Sequence, residues 1–238
     1  MLPALAVEAQ QYSVALSEWL NELPALALAD LIEEAQGPKH VSLYCVDLVN
    51  GFCYEGPLCS SRVAAIVPAI VSLFERAHDL GIRNFVLPQD SHHPNAAEFA
   101  SFPPHCIQGS HESQTVAELA RLPFAAEFVV IPKNSLHPAY GTGFDEWNRS
   151  HPEISHRIVV GDCTDLCVFQ LAMHLLLQAT AANRRCPVIV PASCVDTYDL
   201  PPHTARAAGL QPHPANLLHA AALHNMAING VRVVSSVV

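Results

Sequence analysis

Apolar residues in this chain fall into two alternating patterns. Short unbroken apolar runs lie at about 41–47 (VSLYCVD), 83–88, 127–132, 157–161, 187–191 and 231–235, and their length and density predict buried β-strands. Between them are longer stretches in which apolar residues recur every three or four positions. Over 60–80 these are Val63, Ile66, Ile70, Leu73 and Phe74, and Gly81 stands where a helix C′ residue belongs. Further helices are predicted near 113–121, 143–149, 164–182 and 215–229. Strands alternating with helices predict an α/β fold: a doubly wound, six-stranded, mainly parallel sheet in a three-layer α-β-α sandwich. Right-handed crossovers then put helices on both faces. Ahead of the first strand, residues 8–23 and 25–35 carry two amphipathic patterns broken at Pro24. Leu16, Leu20 and Leu23 line one face of the first, and Leu28, Leu31 and Ile32 one face of the second. The chain thus divides into an N-terminal helical extension over 1–38, packed on the domain or on another subunit, and one domain over 39–238.

Half of the residues are hydrophobic and 14% are charged, the composition of a compact globular chain. The net charge of −10 argues against nucleic acid as a partner, because phosphate binding needs a surplus of Lys and Arg. It also disfavours anionic membranes. The apolar helices are interrupted by polar residues, and no basic segment precedes an apolar N-terminal stretch, so a cytoplasmic protein is expected. Most of the eight cysteines read as reduced and buried, several of them inside apolar strands.

The candidate chemistry sits where the strands end. In an open parallel sheet the ligand crevice lies beyond the carboxyl ends of the strands. Here YCVD ends on Asp47, NFVLPQD on Asp90, FVVIPK on Lys133, and RIVVGDCTDLC leads to Cys167. Cys167 falls in the first turn of a predicted helix capped by Thr164 or Asp165. The positive end of that helix would stabilise a thiolate, and its free N–H groups would hold an oxyanion. Asp47, after an apolar strand, is expected to have a raised pKa suited to moving a proton; a residue that merely closes the strand in a local turn is the simpler alternative. Lys133 is one of only two lysines, with Lys39, and would hold the neighbouring anions charged.

The loop QDSHHPNAAEFASFPPHCIQG supplies a second constellation. Asp90 and His92 are two residues apart, so both face one way in extended backbone, and His105 follows two prolines that stiffen the chain. One carboxylate and two imidazoles suit zinc, iron or manganese, with Glu98 as a further ligand directly or through water. His93 should point away from His92. His78, His111, His137, His151 and His156 have no evident role.

Taken together, Asp47 with Phe52 five residues on, D-x-H at 90–92, F-P-P-H-C at 102–106, Lys133 and G-x-x-T-D-x-C at 161–167 resemble the nicotinamidase branch of the isochorismatase-like cysteine hydrolases. The resemblance covers roughly residues 41–200 and leaves the N-terminal extension outside. The segment after Asp47 reads LVNGF, closer to plant-type members than to the usual polar, acidic pair. The resemblance implies Asp47, Lys133 and Cys167 as a catalytic triad, and Asp90, His92 and His105, with Glu98 in some members, around one divalent metal ion, zinc in the first instance. It implies Phe52 and Phe102 against the substrate ring, Tyr140 as a further pocket aromatic, and the backbone N–H groups of Cys163 and Cys167 as an oxyanion hole beside a cis peptide between Asp162 and Cys163. It further implies a homo-oligomer that converts nicotinamide to nicotinate and ammonia in NAD salvage and also cleaves pyrazinamide. The alternative is another amidase of the superfamily, acting without the metal on a different small amide or ureido compound.

Overall fold

The computed structural model describes residues 2–238, so residue 1 of the extension lies outside the described residues. The strands are β1 (Val41–Val46), β2 (Asn84–Asp90), β3 (Val129–Lys133), β4 (His156–Asp162), β5 (Val188–Pro191), β6 (Val195–Asp196) and β7 (Arg232–Val234). The helices are α1 (Leu2–Asn21), α2 (Leu28–Glu34), α3 (Asn50–Cys53), α4 (Ser61–Asp79), α5 (Ala117–Ala120), α6 (Phe144–Ser150), α7 (Phe169–Ala181), α8 (Pro202–Ala208) and α9 (Ala215–Ile228).

One sheet runs in the order β3-β2-β1-β4-β5-β7, with β6 beside β4, and all of its pairings are parallel. It has seven strands where the apolar pattern predicts six. The additional strand, β6, is two residues long, too short to stand out as an apolar run. On one face, Leu31 of α2 and Val63, Ile70, Leu73 and Phe74 of α4 pack on Leu43, Cys45, Phe85 and Val160. On the other, Phe144 of α6, Leu171 and Leu175 of α7, and Leu223 and Met226 of α9 pack on Tyr44, Val46, Val159 and Val190. β1 and β4 are buried throughout, as strands covered on both faces should be. β3 is not: it is an edge strand, and Val130 is 50% exposed. Two helix boundaries also differ from the pattern. The helix expected at 113–121 shrinks to α5, because the chain before it hydrogen-bonds to the start of α3 (Asn50 N to Gln114 O, 3.0 Å; Gly51 N to Glu112 O, 2.9 Å). The segment 164–182 opens with a π-type turn, Thr164–Val168, before α7 begins.

The extension packs on its own chain. Leu16 is buried, Trp19 and Leu20 lie against the second core, and the Tyr12 hydroxyl meets His224 Nδ1 on α9 at 3.0 Å. Residues 24–28 then run beside the chain end, with Leu26 bonded to Ser236 and Val238 through the backbone. Among the described residues no helix is long and apolar enough to cross a membrane.

This topology decides where chemistry can occur. Strand order proceeds outward from β1 in one direction and from β4 in the other, so the switch point lies between them. The carboxyl ends of β3, β2, β1 and β4 are therefore adjacent in that order, and they carry Lys133, Asp90, Asp47 and the turn to Cys167.

Candidate active site

Two backbone features aim the strand ends. Asp47 adopts φ +57°, a left-handed conformation that Asp tolerates better than most residues. Its carboxylate does not close a local turn; Oδ1 instead accepts the backbone N–H of Asp90 on β2 at 2.8 Å. Gly161 has φ +111°, and a Cβ there would lie 2.0 Å from Val46 O across the sheet. Only glycine lets β4 pass β1 so closely. The chain then runs through a cis peptide between Asp162 and Cys163 into the turn bearing Cys167.

Lys133 is the hub. Its ammonium lies 2.8 Å from Asp47 Oδ2, an ion pair by distance although not aligned as a hydrogen bond, and 3.7 Å from Cys167 Sγ. It also donates to Asp90 Oδ1. Asp47, Asp90 and Lys133 are essentially inaccessible to solvent. Burial and the nearby Asp90 raise the Asp47 carboxyl to about 6 against the pull of Lys133. Burial also acts to raise Asp90, but Lys133, His105 and His92 outweigh it and hold that carboxyl below the usual range. Burial acts to neutralise Lys133, yet its two carboxylates keep it firmly charged.

Cys167 departs from expectation. Neither Thr164 nor Asp165 caps its turn; Cys163 occupies the cap position without a side-chain bond. Thr164 Oγ1 pairs with His219 Nδ1 and Asp165 with His213. The thiol is only 5% exposed, and burial pushes its pKa well above the ordinary value, with Lys133 opposing. The resting group is a thiol needing a base, not an exposed thiolate.

Asp90 links this cluster to the histidine loop. His92 Nε2 lies 3.3 Å from Asp90 Oδ2 and 3.8 Å from Glu98 Oε1, and His105 Nε2 lies 3.6 Å from Asp90 Oδ2. One ligand atom from each of Asp90, His92, Glu98 and His105 falls within 4.8 Å of all the others. Both ring nitrogens of buried His92 lack a hydrogen-bond partner among the described residues. His105 Nδ1 donates to Pro103 O at 2.8 Å, leaving the Nε2 lone pair free to face Asp90. Two imidazoles and two carboxylates converging with unshared lone pairs form a group able to hold a divalent metal ion. His93 is exposed and turned away, accepting from Asn95 N.

A pocket opens between the two groups. It is lined by Asp47, Asp90, Glu98, His105, Cys163 and Cys167, with Phe52, Phe102, Leu58, Val63, Leu136, Leu166 and Tyr198 as its apolar walls. Phe52 and Phe102 line this pocket. Tyr140 does not: it is 74% exposed beside His137, because the loop after β3 turns it outward and gives Leu136 to the wall instead. Sequence reasoning missed Phe99, whose ring packs edge-on against both His92 and His105. It also missed Tyr198, which follows the short strand β6. The histidines without an evident role lie away from the pocket; His78 stacks on Phe124 at 3.9 Å, and His111 pairs with Glu55 at 2.7 Å.

The family model described as the isochorismatase domain matches residues 42–236. The chain belongs to the isochorismatase family. Nicotinamidase 1 of Arabidopsis thaliana is 31% identical over 221 residues, covering 83% of this chain and 86% of that protein. This puts the chain in the nicotinamidase branch, as a hydrolase of an amide C–N bond. Solved structures share the fold. The pyrazinamidase of Pyrococcus horikoshii in complex with zinc has a TM-score of 0.65 at 20% identity, over 82% of this chain and 98% of that one. The nicotinamidase of Bacillus subtilis has a TM-score of 0.63 at 23% identity, over 82% and 99%. The isochorismatase match begins at residue 42, so α1 and α2 lie outside it.

Proposed function

We propose that this isochorismatase-family hydrolase converts nicotinamide to nicotinate and ammonia, and cleaves pyrazinamide as well. One observation carries the reading: Lys133 joins Asp47, Cys167 and Asp90, and Asp90 in turn belongs to a metal-competent group on the wall of the same aromatic-lined pocket. Asp90, His92, His105 and Glu98 would hold the ion, and zinc is proposed from the donor set and from the zinc complex of the Pyrococcus horikoshii relative. When bound, such an ion supplies a Lewis-acid anchor for a ring nitrogen.

Asp47 acts as the base. With its pKa at about 6 it is ionised at neutral pH yet basic enough to take the Cys167 proton. The sulfur then bonds to the amide carbon, and the carbonyl electrons move to oxygen. The backbone N–H groups of Cys163 and Cys167 hold that oxyanion. As it collapses, the C–N bond breaks and Asp47 returns its proton to the departing nitrogen, releasing ammonia. Water, losing a proton to Asp47, attacks the thioester; the C–S bond breaks and Asp47 reprotonates the thiolate. Lys133 remains charged throughout and offsets the negative charge as it moves between carboxylate and sulfur. Phe52 and Phe102 sandwich the ring, which holds the amide in line with the thiol.

The test is ammonia release from nicotinamide, pyrazinamide and benzamide, with metal analysis of the same preparation. Nicotinamide and pyrazinamide should turn over well, and benzamide, which lacks a ring nitrogen, poorly. Cys167→Ala should abolish turnover while retaining fold and metal. Turnover surviving in that variant, or full activity in metal-stripped protein, would refute the reading.

A further inference from the structure

Tyr198 stands on the wall of the pocket, and the segment it begins also lines a wider cleft that shares residues with that pocket. Tyr198 lines both cavities together with Phe102 and Leu58, and Leu200, Leu210 and Gln211 line the outer one. The segment is tied at its neck, where Leu200 and His213 exchange both backbone hydrogen bonds at 2.8 Å. The His213 ring stacks on Tyr198 at 3.8 Å between centroids and 16° between planes.

The bonding of His213 is unusual. Nδ1 lies 2.8 Å from the Tyr198 carbonyl oxygen, and Nε2 lies 2.8 Å from Asp165 Oδ2. Both partners can only accept, provided that the carboxyl is ionised. A neutral imidazole carries a single N–H and can satisfy one of them; the imidazolium satisfies both. Burial acts to raise Asp165, but His213 and Thr197 outweigh it and keep the carboxylate ionised. Burial acts to lower His213, yet its bond and charge pairing with Asp165 raise it. The other charged or titratable groups around this junction are the Cys163 thiol and Tyr198 phenol, Asp196 at the end of β6, Arg62 of α4 in ion pair with Asp196, and His219 of α9. Asp199 caps Ala215 N at 3.0 Å.

We propose that His213, as an imidazolium donating to both Asp165 and the Tyr198 carbonyl, is a positioning residue that fixes Tyr198 as the pocket wall holding a planar amide over Cys167. Asp165 is two residues before Cys167, so the same bond ties the wall to the turn that carries the nucleophile. This rests on the pocket being the amide-binding site. The sign follows from the charge: the clamp is complete below the pKa of His213 and loosens as pH rises through it. Substrate binding therefore weakens toward alkaline pH, independently of the thiol chemistry.

The experiment is steady-state hydrolysis of nicotinamide across the neutral and alkaline range by wild type, His213→Ala, Tyr198→Ala and the double Ala variant. Losing a stacked aromatic contact corresponds to roughly three- to tenfold. His213→Ala and Tyr198→Ala should each raise KM by about that factor with kcat little changed. The double variant should be no worse than either single one, because His213 acts through Tyr198. Wild-type KM should climb with pH toward the His213→Ala value, which should itself stay flat. An unchanged KM in His213→Ala, or a pH rise in KM that persists there, overturns the proposal. NMR of the His213 ring checks the clamp directly, and titration at or below the ordinary histidine value also overturns it. Should His213→Ala not fold, Tyr198→Ala and the titration decide. Should wild type leave nicotinamide uncleaved, the functional reading is what has failed. The clamp is then judged by the rate at which iodoacetamide alkylates Cys167, read by peptide mass spectrometry: several-fold faster in both Ala variants supports it, and an unchanged rate overturns it.

Discussion

Asp162 offers a sharp test of the buried electrostatics. It ends β4, its side chain is fully buried, and neither carboxyl oxygen has a hydrogen-bond partner among the described residues. Burial pushes its pKa well above the carboxylate range, and Asp47 and Asp90 push the same way, with Lys133 opposing. The folded protein therefore binds a proton here that the unfolded chain releases. Stability falls as pH rises above the ordinary carboxylate range, by up to about 1.4 kcal/mol per pH unit until the raised value is reached. A neutral carboxyl buried without a partner costs a further ~1–3 kcal/mol. Asp162→Asn removes the first contribution and keeps a polar group; Asp162→Val removes both and suits a strand. Asp162→Val should thus be the more stable protein at neutral pH by about 2 kcal/mol or more, which is roughly 4–8 °C in Tm for a chain of this size. Urea denaturation at mildly acidic and neutral pH measures both effects, and the gap between each variant and wild type should widen with pH. A gap that stays constant with pH, or an Asp162→Val less stable than wild type, would refute the reasoning. So would a large fall in kcat in Asp162→Asn, because nothing in the proposed mechanism uses this carboxyl.

Three other expectations follow from the same interior. Lys133→Met leaves Asp47 and Asp90 buried side by side without their cation, and should lower stability in urea by about 3–5 kcal/mol as well as abolish turnover; a change under about 1 kcal/mol would mean the lysine does not neutralise both. Gly161→Ala puts a methyl 2.0 Å from Val46 O and should prevent native folding, seen as loss of the cooperative thermal transition. Because Asp47 must be ionised to take the thiol proton and sits at about 6, kcat/KM should fall tenfold per pH unit on the acid side of that value; activity flat through this range would remove Asp47 as the base.

The parts of the site readable in sequence are those that depend on chain direction alone. Parallel strands expose their carboxyl ends together, so a polar residue closing each apolar run reports a shared edge without knowledge of pairing. Asp47, Asp90 and Lys133 were legible for that reason. What depends on pairing or on loop path was not. The contact between Lys133 and Asp90 comes from the register that sets these two residues opposite one another, which no local pattern encodes. Tyr140 was misjudged because a turn-rich loop carries no periodicity to fix which side chain faces inward. Tyr198 was missed because the strand before it is two residues long. The thiol environment was only partly legible, because helix-end electrostatics can be inferred from sequence, whereas the depth of burial cannot.

The D-x-H spacing, by contrast, holds more than a pair of candidate ligands. Asp90 uses one carboxyl oxygen for Lys133 and turns the other toward His92 and His105. A carboxylate shared in this way couples the two halves of the site. Drawing electron density toward the imidazole side weakens its hold on Lys133, which then neutralises Asp47 and the sulfur more fully. Loss of Asp90 should therefore disturb the nucleophile as well as the metal group, and loss of His105, which acts on Lys133 only through Asp90, should disturb the thiol less but measurably. The reactivity of Cys167 toward an alkylating reagent in Asp90→Asn and His105→Ala tests this, and a wild-type reactivity in His105→Ala would show that the two halves act independently.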